Sequence, residues 1–375
     1  MSLTFTSATN SDSESDPLPT AKRSRWKIIR RLLGIIALAF IAVTGTFIWR
    51  AAGQLAKPPR LAKTPAAIDI LNAPEKQGVQ IRSGLALNQK VPYLIVEPIA
   101  NLQPGERGKL LRQQLQQDGF SLPPFGTIRG TVVLLHGRMS RKENFLAVAV
   151  RFCAGGYRCI IPDLPAHGDS PLSNVHFGST DFEATLPEKL HHELLAKGEI
   201  GNEPVSLWGM SMGGAFATSA ASRNPDYWKS LTVIASFDHL DQVVAEKARG
   251  YAGPLAHLLA EAVRHTTIFR GGCDPAKSQP ATWASKVTTP VLVIHGSDDD
   301  LIPFESGNRL YDAFASTSKA WMIVEGAAHS NVLITPEPTY RTMAQWLASP
   351  TTLPETLPTA ESNAALNSAL FLDVD

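Results

Sequence analysis

The sequence has little of what marks metal, redox or nucleotide chemistry. Its 375 residues include three cysteines, Cys153, Cys159 and Cys273, and no two of them form a Cys-x-x-Cys pair that would indicate zinc or redox function. It contains neither a His-Glu-x-x-His helix nor a Gly-x-x-x-x-Gly-Lys-Ser/Thr phosphate loop. We therefore predict no metal and no cofactor. The cysteines are interpreted as small buried hydrophobes, with a Cys153–Cys159 disulfide as the alternative.

A strong charge bias is also missing. The chain carries 35 basic and 34 acidic residues, a net charge of +1, so its charge gives no reason to expect a nucleic-acid partner. Apolar residues make up 44% and charged residues 18%, which excludes global disorder and allows a large core. Nothing in the sequence fixes an oligomeric state.

The N-terminal part of the chain contains a long uncharged apolar run over residues 32–49. As a helix its 18 residues would extend about 27 Å, close to the thickness of a hydrocarbon core. It follows a cluster of basic residues, Lys22, Arg23, Arg25, Lys27, Arg30 and Arg31. The positive-inside rule then predicts a cytoplasmic N-terminus and an extracytoplasmic remainder. A cleaved signal peptide, with small residues at Ala51 and Gly53, is the alternative to the predicted signal anchor.

These features divide the chain into five predicted segments. A disordered leader ending in the basic cytoplasmic stretch covers 1–31, and the membrane anchor covers 32–49. A linker over 50–77 leads to a folded domain over 78–348, and a disordered tail covers 349–375.

The folded domain alternates strand and helix patterns. An antiparallel hairpin is predicted over 78–87 and 91–99. Apolar strand-like runs then recur with helical patterns between them, which predicts a mainly parallel central sheet with helices on both faces. One interval, 237–286, is longer than a crossover needs and has helical character. We interpret it as a small helical lid, the alternative being an extra pair of surface helices.

The stretch Val205 to Ala215 places a serine at a sharp strand-to-helix turn. Residues Val205 to Trp208 form a predicted buried strand, and Gly209-Met210-Ser211-Met212-Gly213 leads directly into an Ala- and Ser-rich helix. Small residues two before and two after the serine allow neighbouring backbone to pass closely. This arrangement is a nucleophile elbow, and it makes Ser211 the candidate nucleophile.

A serine hydroxyl requires an imidazole base that is oriented by a carboxylate. In an elbow-type sheet the acid and then the histidine follow the serine on turns after later strands. Three adjacent aspartates, residues 298–300, follow the predicted strand 291–294. His329 follows the predicted strand 321–324, in Glu-Gly-Ala-Ala-His-Ser-Asn.

With these motifs in this order, residues 130 to 348 resemble the α/β-hydrolase superfamily, and within it the serine-aminopeptidase and monoacylglycerol-lipase type. The resemblance implies an α/β-hydrolase fold, with Asp299 as the acid and His329 as the base. It also implies an oxyanion hole built from the backbone N–H groups of Met212 and Arg138, the latter in His136-Gly137-Arg138-Met139. Asp238 is the alternative acid, on the preceding strand.

We therefore expect a membrane-anchored serine hydrolase that cleaves carboxylic esters, including lipid-like or acylated ones, through an acyl-enzyme intermediate. A peptidase or amidase using the same triad is one alternative, and a non-catalytic binding protein on the same fold is another. The leader and the breadth of the family suggest a bacterial inner membrane with the catalytic domain facing the periplasm.

Overall fold

The computed structural model describes residues 21–334 and 338–350. Its residues fall into two compact units, one ending at Ile48 and the other beginning at Trp49. The predicted leader over 1–20 and the predicted tail from 351 onward lie outside the described residues.

The first unit is the greater part of a long helix, α1, which covers Ala21–Ala56. Its segment Trp26–Ala56 has a mean hydropathy of 2.3 and is long and apolar enough to cross a membrane. Large apolar side chains along it are exposed to solvent. The helix is longer at both ends than the predicted 32–49, and its start at Ala21 replaces part of the predicted leader over 1–31.

The predicted linker over 50–77 contains helical structure. Helix α1 continues to Ala56, and a second helix, α2, covers Pro65–Asn72 and begins with the Thr64 hydroxyl accepting from Ala67 N–H at 3.3 Å. Ala52 and Ala56 are fully buried, and the Ala56 carbonyl accepts from Val175 N–H at 3.0 Å. This segment is ordered because its small and apolar residues pack on the domain. Its Pro and Lys content does not indicate these tertiary contacts.

The second unit is built on an eight-stranded sheet in the order β1-β2-β4-β3-β5-β6-β7-β8. The strands are β1 Val79–Ala86, β2 Val91–Pro98, β3 Gly130–Leu135, β4 Tyr157–Pro162, β5 Val205–Met210, β6 Leu231–Ile234, β7 Val291–Gly296 and β8 Lys319–Val324. Strand β2 pairs antiparallel with β1 and β4, and all other neighbours are parallel. The predicted hairpin and mainly parallel sheet are confirmed.

Helices cover both faces of this sheet. They are α3 Glu106–Gln117, α4 Leu146–Ala154, α5 Asp181–Ala196, α6 Met212–Arg223, α7 Leu240–Ala252, α8 Ala256–Gly271, α9 Pro280–Ala284, α10 Phe304–Ala313 and α11 Thr339–Ala348. Side chains alternate along a strand, so neighbouring residues of β5 enter opposite cores. Leu207 packs in the core that includes Phe216 of α6, and Trp208 packs in the core that includes Phe152 of α4.

Helices α7 and α8 form the interval predicted as a lid. They pack against each other between β6 and β7. Four large side chains of this hairpin are exposed, Tyr251, Leu255, Leu258 and Phe269. Its helical character is as expected, and its action as a lid stays a prediction.

Candidate active site

Ser211 stands at the turn between β5 and α6 in a backbone conformation that glycine favours. Its φ is 55° and its ψ is −120°. The turn closes because the flanking glycines have no side chains: a Cβ on Gly209 would lie 2.1 Å from Gly213 O, and one on Gly213 would lie 2.0 Å from Leu135 O. Ser211 N–H donates to Ile234 O at 2.7 Å, which ties the elbow to β6. Strain of this kind costs about 1–3 kcal/mol and persists where the surrounding structure imposes it.

The structure brings Ser211, His329 and Asp299 together. His329 Nε2 lies 3.0 Å from Ser211 Oγ, and His329 Nδ1 lies 2.8 Å from Asp299 Oδ2. Asp299 follows β7 and His329 follows β8, so each side chain comes from the carboxyl end of a parallel strand, as Ser211 does. A carboxylate only accepts hydrogen bonds, so Nδ1 carries the proton and Nε2 accepts from the serine hydroxyl.

Asp299 is buried and fully hydrogen-bonded. Its Oδ1 accepts from the N–H groups of Leu301 at 3.0 Å and Ile302 at 2.7 Å. Burial alone would raise the pKa of this carboxyl, but the hydrogen bond and charge of His329 and the Ile302 N–H hold its pKa below the ordinary value. Among the described residues, neither Asp298 nor Asp300 forms a hydrogen bond or ion pair with His329: Asp298 accepts from Ser297 Oγ, and the backbone carbonyl of Asp300 accepts from Lys247.

A second histidine faces Asp299. His295, on β7, has its Nε2 3.4 Å from Asp299 Oδ2 and 3.0 Å from Ile302 O. The carbonyl can only accept, so Nε2–H donates to it. Burial lowers the pKa of His295, which favours the neutral ring. A neutral imidazole packed here fixes the loop that carries Asp299.

Asp238, the alternative acid, is used elsewhere. Its carboxylate accepts from Arg309 Nε at 2.6 Å and from Ser306 Oγ at 2.5 Å. Burial would raise the pKa of Asp238, but these two partners hold it below the ordinary value. Asp238 therefore joins the loop after β6 to α10. Its ion-pair partner is Arg309, whereas Asp299 pairs with His329.

The turn after β3 lies against the elbow. A Cβ on Gly137 would come within 3.5 Å of both Met210 O and Ser211 Cβ. Met212 is the first residue of α6, and the first N–H groups of a helix have no intrahelical acceptor. The predicted oxyanion donors, the N–H groups of Met212 and Arg138, thus come from two segments that meet at Ser211. The Arg138 side chain extends elsewhere, donating to Gln54 O at 3.3 Å, and burial lowers its pKa.

An ion network braces this turn, and the sequence pattern does not predict the part that Lys142 has in it. Asp163, after β4, accepts from Lys142 N at 2.8 Å and from Lys142 Nζ at 2.6 Å, and its Oδ2 also accepts from Asp169 N at 2.8 Å. Carboxylate oxygens of Glu143, Asp163 and Asp169 lie within 4.8 Å of one another, and the Lys142 ammonium contacts all three. The lysine therefore supplies the positive charge that these acids require.

Two histidines beside the network are buried and neutral. Burial lowers the pKa of His136 to about 4 and that of His167 to about 3. His136 Nε2 accepts from Leu164 N–H at 3.1 Å, which joins the turn after β3 to the loop after β4. Both therefore have structural roles.

Comparison with known proteins adds a family and a fold. The model of the alpha/beta hydrolase family matches residues 132–342. The chain is 28% identical to the uncharacterized protein YqkD of Bacillus subtilis, over 60% of this chain and 73% of that protein. It is 26% identical to monoacylglycerol lipase of Mycolicibacterium smegmatis, over 54% and 81%. The esterase Pf2001 of Pyrococcus furiosus matches with a TM-score of 0.56 at 16% identity, over 80% of this chain and 99% of that one, which is evidence for the fold alone.

Proposed function

The chain belongs to the alpha/beta hydrolase family, and we propose that within it the protein is a serine hydrolase of carboxylic esters, anchored to a membrane by α1. The observation that carries the proposal is the continuous hydrogen-bond chain from Ser211 Oγ through His329 to Asp299, with distances of 3.0 and 2.8 Å. A nucleophile, a base and an orienting acid in this order can run acyl transfer.

In the proposed first half-reaction, Ser211 Oγ attacks the acyl carbonyl carbon while His329 Nε2 takes the hydroxyl proton. Asp299 keeps the imidazole in the required tautomer and stabilises its positive charge. The carbonyl oxygen becomes an oxyanion, and in this proposal the N–H groups of Met212 and Arg138 donate hydrogen bonds to it. The intermediate then collapses: the bond to the alcohol breaks, and His329 returns its proton to the departing oxygen.

The second half-reaction repeats these roles with water. His329 takes a proton from a water molecule, whose oxygen attacks the acyl carbon of the acyl-enzyme. The carboxylic acid leaves as the proton returns to Ser211 Oγ, and the resting site is restored. Water thus replaces the alcohol on the acyl group.

An ester, including a lipid-like or acylated one, is the proposed substrate class. Lipases and esterases among the relatives support this choice over a peptide or amide. The apolar helix supports action at a bilayer surface, and the basic residues before it support an N-terminus on the cytoplasmic side with the catalytic domain across the membrane. The compartment proposed is the periplasm of a bacterium.

A fluorophosphonate probe tests the nucleophile, because it reacts only with an activated serine. We expect the full chain to be labelled and the Ser211→Ala variant to be spared, with kcat for p-nitrophenyl butyrate reduced at least about 1,000-fold. Ser236→Ala is the matched control, since Ser236 follows β6 and its Oγ donates to the backbone oxygen of Ser211. Equal labelling of Ser211→Ala and the parent would reject the proposal, and faster turnover of aminoacyl anilides than of esters would replace it with a peptidase.

A further inference from the structure

His295 lies behind the candidate triad, with one donor close to two acceptors of the Asp299 loop. It belongs to β7, and its side chain is fully buried. Its Nε2–H donates to Ile302 O at 3.0 Å, and the same nitrogen lies 3.4 Å from Asp299 Oδ2. Oδ2 is also the oxygen that accepts from His329 Nδ1 at 2.8 Å. One N–H group therefore contacts both ends of the turn from Asp299 to Ile302, including the carboxylate oxygen that orients the base.

Close packing holds the His295 ring in this orientation. Trp321 of β8 stacks on the ring with 6.2 Å between centroids, and Phe304 of α10 packs edge-on against it at 6.3 Å. Gly307 of α10 completes the enclosure, because a Cβ there would lie 2.3 Å from His295 Nδ1. The enclosure leaves the ring little room to turn, so the fold fixes the direction of its N–H.

Filling this space does not require a histidine. Among the described residues, His295 Nδ1 is buried and has no hydrogen-bond partner. A buried polar atom without a partner costs about 1–3 kcal/mol, which a leucine or methionine in the same space would avoid. Histidine differs from those side chains by its Nε2–H donor, so the role of His295 depends on that donor.

Ile302 transmits the contact to the acid. Its carbonyl accepts from His295, and its N–H donates to Asp299 Oδ1 at 2.7 Å. The hydrogen bonds thus run from β7 through the loop to Asp299, and from there through His329 to Ser211. Burial lowers the pKa of His295, which keeps the ring neutral. A neutral donor stabilises the carboxylate without cancelling the negative charge that the proposed imidazolium of His329 requires.

We propose that His295 is a positioning residue of the triad, whose Nε2–H holds the Asp299 carboxylate in the orientation in which Oδ2 accepts from His329 Nδ1. The inference rests on the proposed ester hydrolysis and adds a fourth side chain to the three that carry it. Among the described residues, the polar contacts of His295 are with Ile302 and Asp299, so it acts through the acid and not on the reacting atoms.

Two variants of similar length separate the donor from the volume. His295→Met removes the N–H and His295→Gln keeps one, and both are compared with the parent in the full chain in nonionic detergent. His295→Met should lower kcat for p-nitrophenyl butyrate between about 10- and 100-fold with KM little changed, because a displaced acid misplaces the base. His295→Gln should recover most of that loss. Equal losses in the two variants, or a parental kcat in His295→Met, would overturn the proposal.

Lys247→Met is the matched control for tethering of the loop in general. Lys247, on α7, donates to the backbone carbonyl of Asp300 in the same loop at 2.7 Å. This variant should keep the parental kcat, and a loss as large as that in His295→Met would contradict a specific role for His295. The unfolding temperature of each variant is measured alongside, and His295→Leu is the second apolar variant if His295→Met does not fold.

A double-mutant cycle distinguishes positioning through Asp299 from a general loss of structure. In the Asp299→Asn protein the carboxylate is gone, so adding His295→Met should lower kcat no further. A further loss equal to that in the parent would mean that His295 acts independently of the acid, against the proposal.

The last measurement does not depend on turnover. In the full chain labelled with ¹⁵N at histidine, the His329 Nδ1 proton should give a low-field ¹H resonance because it is hydrogen-bonded to a carboxylate, and Asp299→Asn should abolish that resonance. The resonance should move upfield in His295→Met and stay in place in His295→Gln. This result in a protein that hydrolyses no ester would reject the proposed function and keep the positioning role. Ester hydrolysis by the parent with an unmoved resonance in His295→Met would reject the positioning role alone.

Discussion

At the scale of single residues, the site depends on one buried carboxylate that stays ionised. Asp299 accepts three hydrogen bonds, from His329 Nδ1 and from the N–H groups of Leu301 and Ile302. These partners outweigh its burial and keep its pKa low, so the acid is charged wherever a free aspartate would be. The charge fixes the histidine tautomer on which the proposed proton transfer depends.

Asp299→Asn should therefore lower kcat by about 10,000-fold while the fold is kept. The asparagine amide donates where the carboxylate accepts, so it turns His329 to the wrong tautomer. The measurement is kcat for p-nitrophenyl butyrate together with the unfolding temperature. Asp298→Asn is the matched control, because among the residues described that side chain accepts a hydrogen bond from Ser297 and none from His329; if both variants lose activity equally, the acid is misassigned.

Glu183 gives a pH prediction for stability. Its carboxylate accepts from the N–H groups of His176 and Gly178, each at 2.8 Å, but burial is the larger effect and raises its pKa from 4.5 to about 7. Between pH 4.5 and 7 the folded state therefore keeps a proton on Glu183 that the unfolded state has released. The free energy of unfolding falls as pH rises through this range, by up to about 3 kcal/mol.

The check is the unfolding temperature at pH 5 and pH 8 in one detergent. The parent should lose more stability over this interval than Glu183→Gln, whose side chain does not titrate. The exposed Glu106→Gln should keep the parental slope. Identical slopes for the parent and Glu183→Gln would contradict the assignment.

Local patterns were enough to predict some of these residues and not others. Ser211 and His329 could be predicted from local sequence, because the motif around each residue lies within a few residues of a predicted strand end. The contacts of Lys142 with Asp163 and of Arg138 with Gln54 join positions 21 and 84 residues apart. No local pattern encodes such pairs, because they form only when the sheet brings distant loops together.

At the scale of elements, the strand–turn–helix around Ser211 depends on close backbone approach. Gly213→Ala would place a Cβ 2.0 Å from the Leu135 carbonyl and so push the start of α6 away from β3. A displacement of about 1 Å at a reacting group costs about 100-fold in rate. We expect at least that loss in kcat, with a smaller relative loss in unfolding temperature.

The matched control is Gly250→Ala in α7, where a Cβ meets nothing within 4 Å. It should keep full activity and be slightly more stable, because alanine favours a helix over glycine by about 1 kcal/mol. Full activity in Gly213→Ala would show that the elbow tolerates a wider turn than the structure indicates.

The strands and major helices of the domain were predictable, whereas the segment 50–77 was not. Its composition of Pro and Lys is typical of a linker, yet Thr64 followed by Pro65 is also a helix-start signal, and α2 begins there. The docking of Ala52 and Ala56 has no sequence signal, because a buried alanine and an exposed one look alike until the surface they contact is known.

At the scale of the whole molecule, the domain boundary falls inside a helix. The second unit begins at Trp49, and Ala52 and Ala56 in its first residues are fully buried. A chain starting at residue 49 should therefore be stable without detergent. A chain starting at residue 57 should lose about 2 kcal/mol of burial and hydrogen bonding, and its unfolding temperature should be lower by about 5 °C.

Scanning calorimetry of both truncated forms decides the boundary. Equal unfolding temperatures would mean that residues 49–56 contribute nothing to the domain. A membrane-bound form of the chain starting at 49 would mean that the domain itself holds lipid, since the apolar stretch before Trp49 has been removed.

The left-handed backbone of Ser211 lowers the stability of the folded protein, although the proposed activity requires a serine at this position. A serine at φ 55° is less stable than a glycine there, so replacing it should remove strain of about 1–3 kcal/mol, less the greater chain entropy of glycine. We therefore expect the Ser211→Gly protein to be more stable to heat and to have no hydrolase activity. Such a variant would bind its ester substrate without cleaving it, so the intact complex could be isolated.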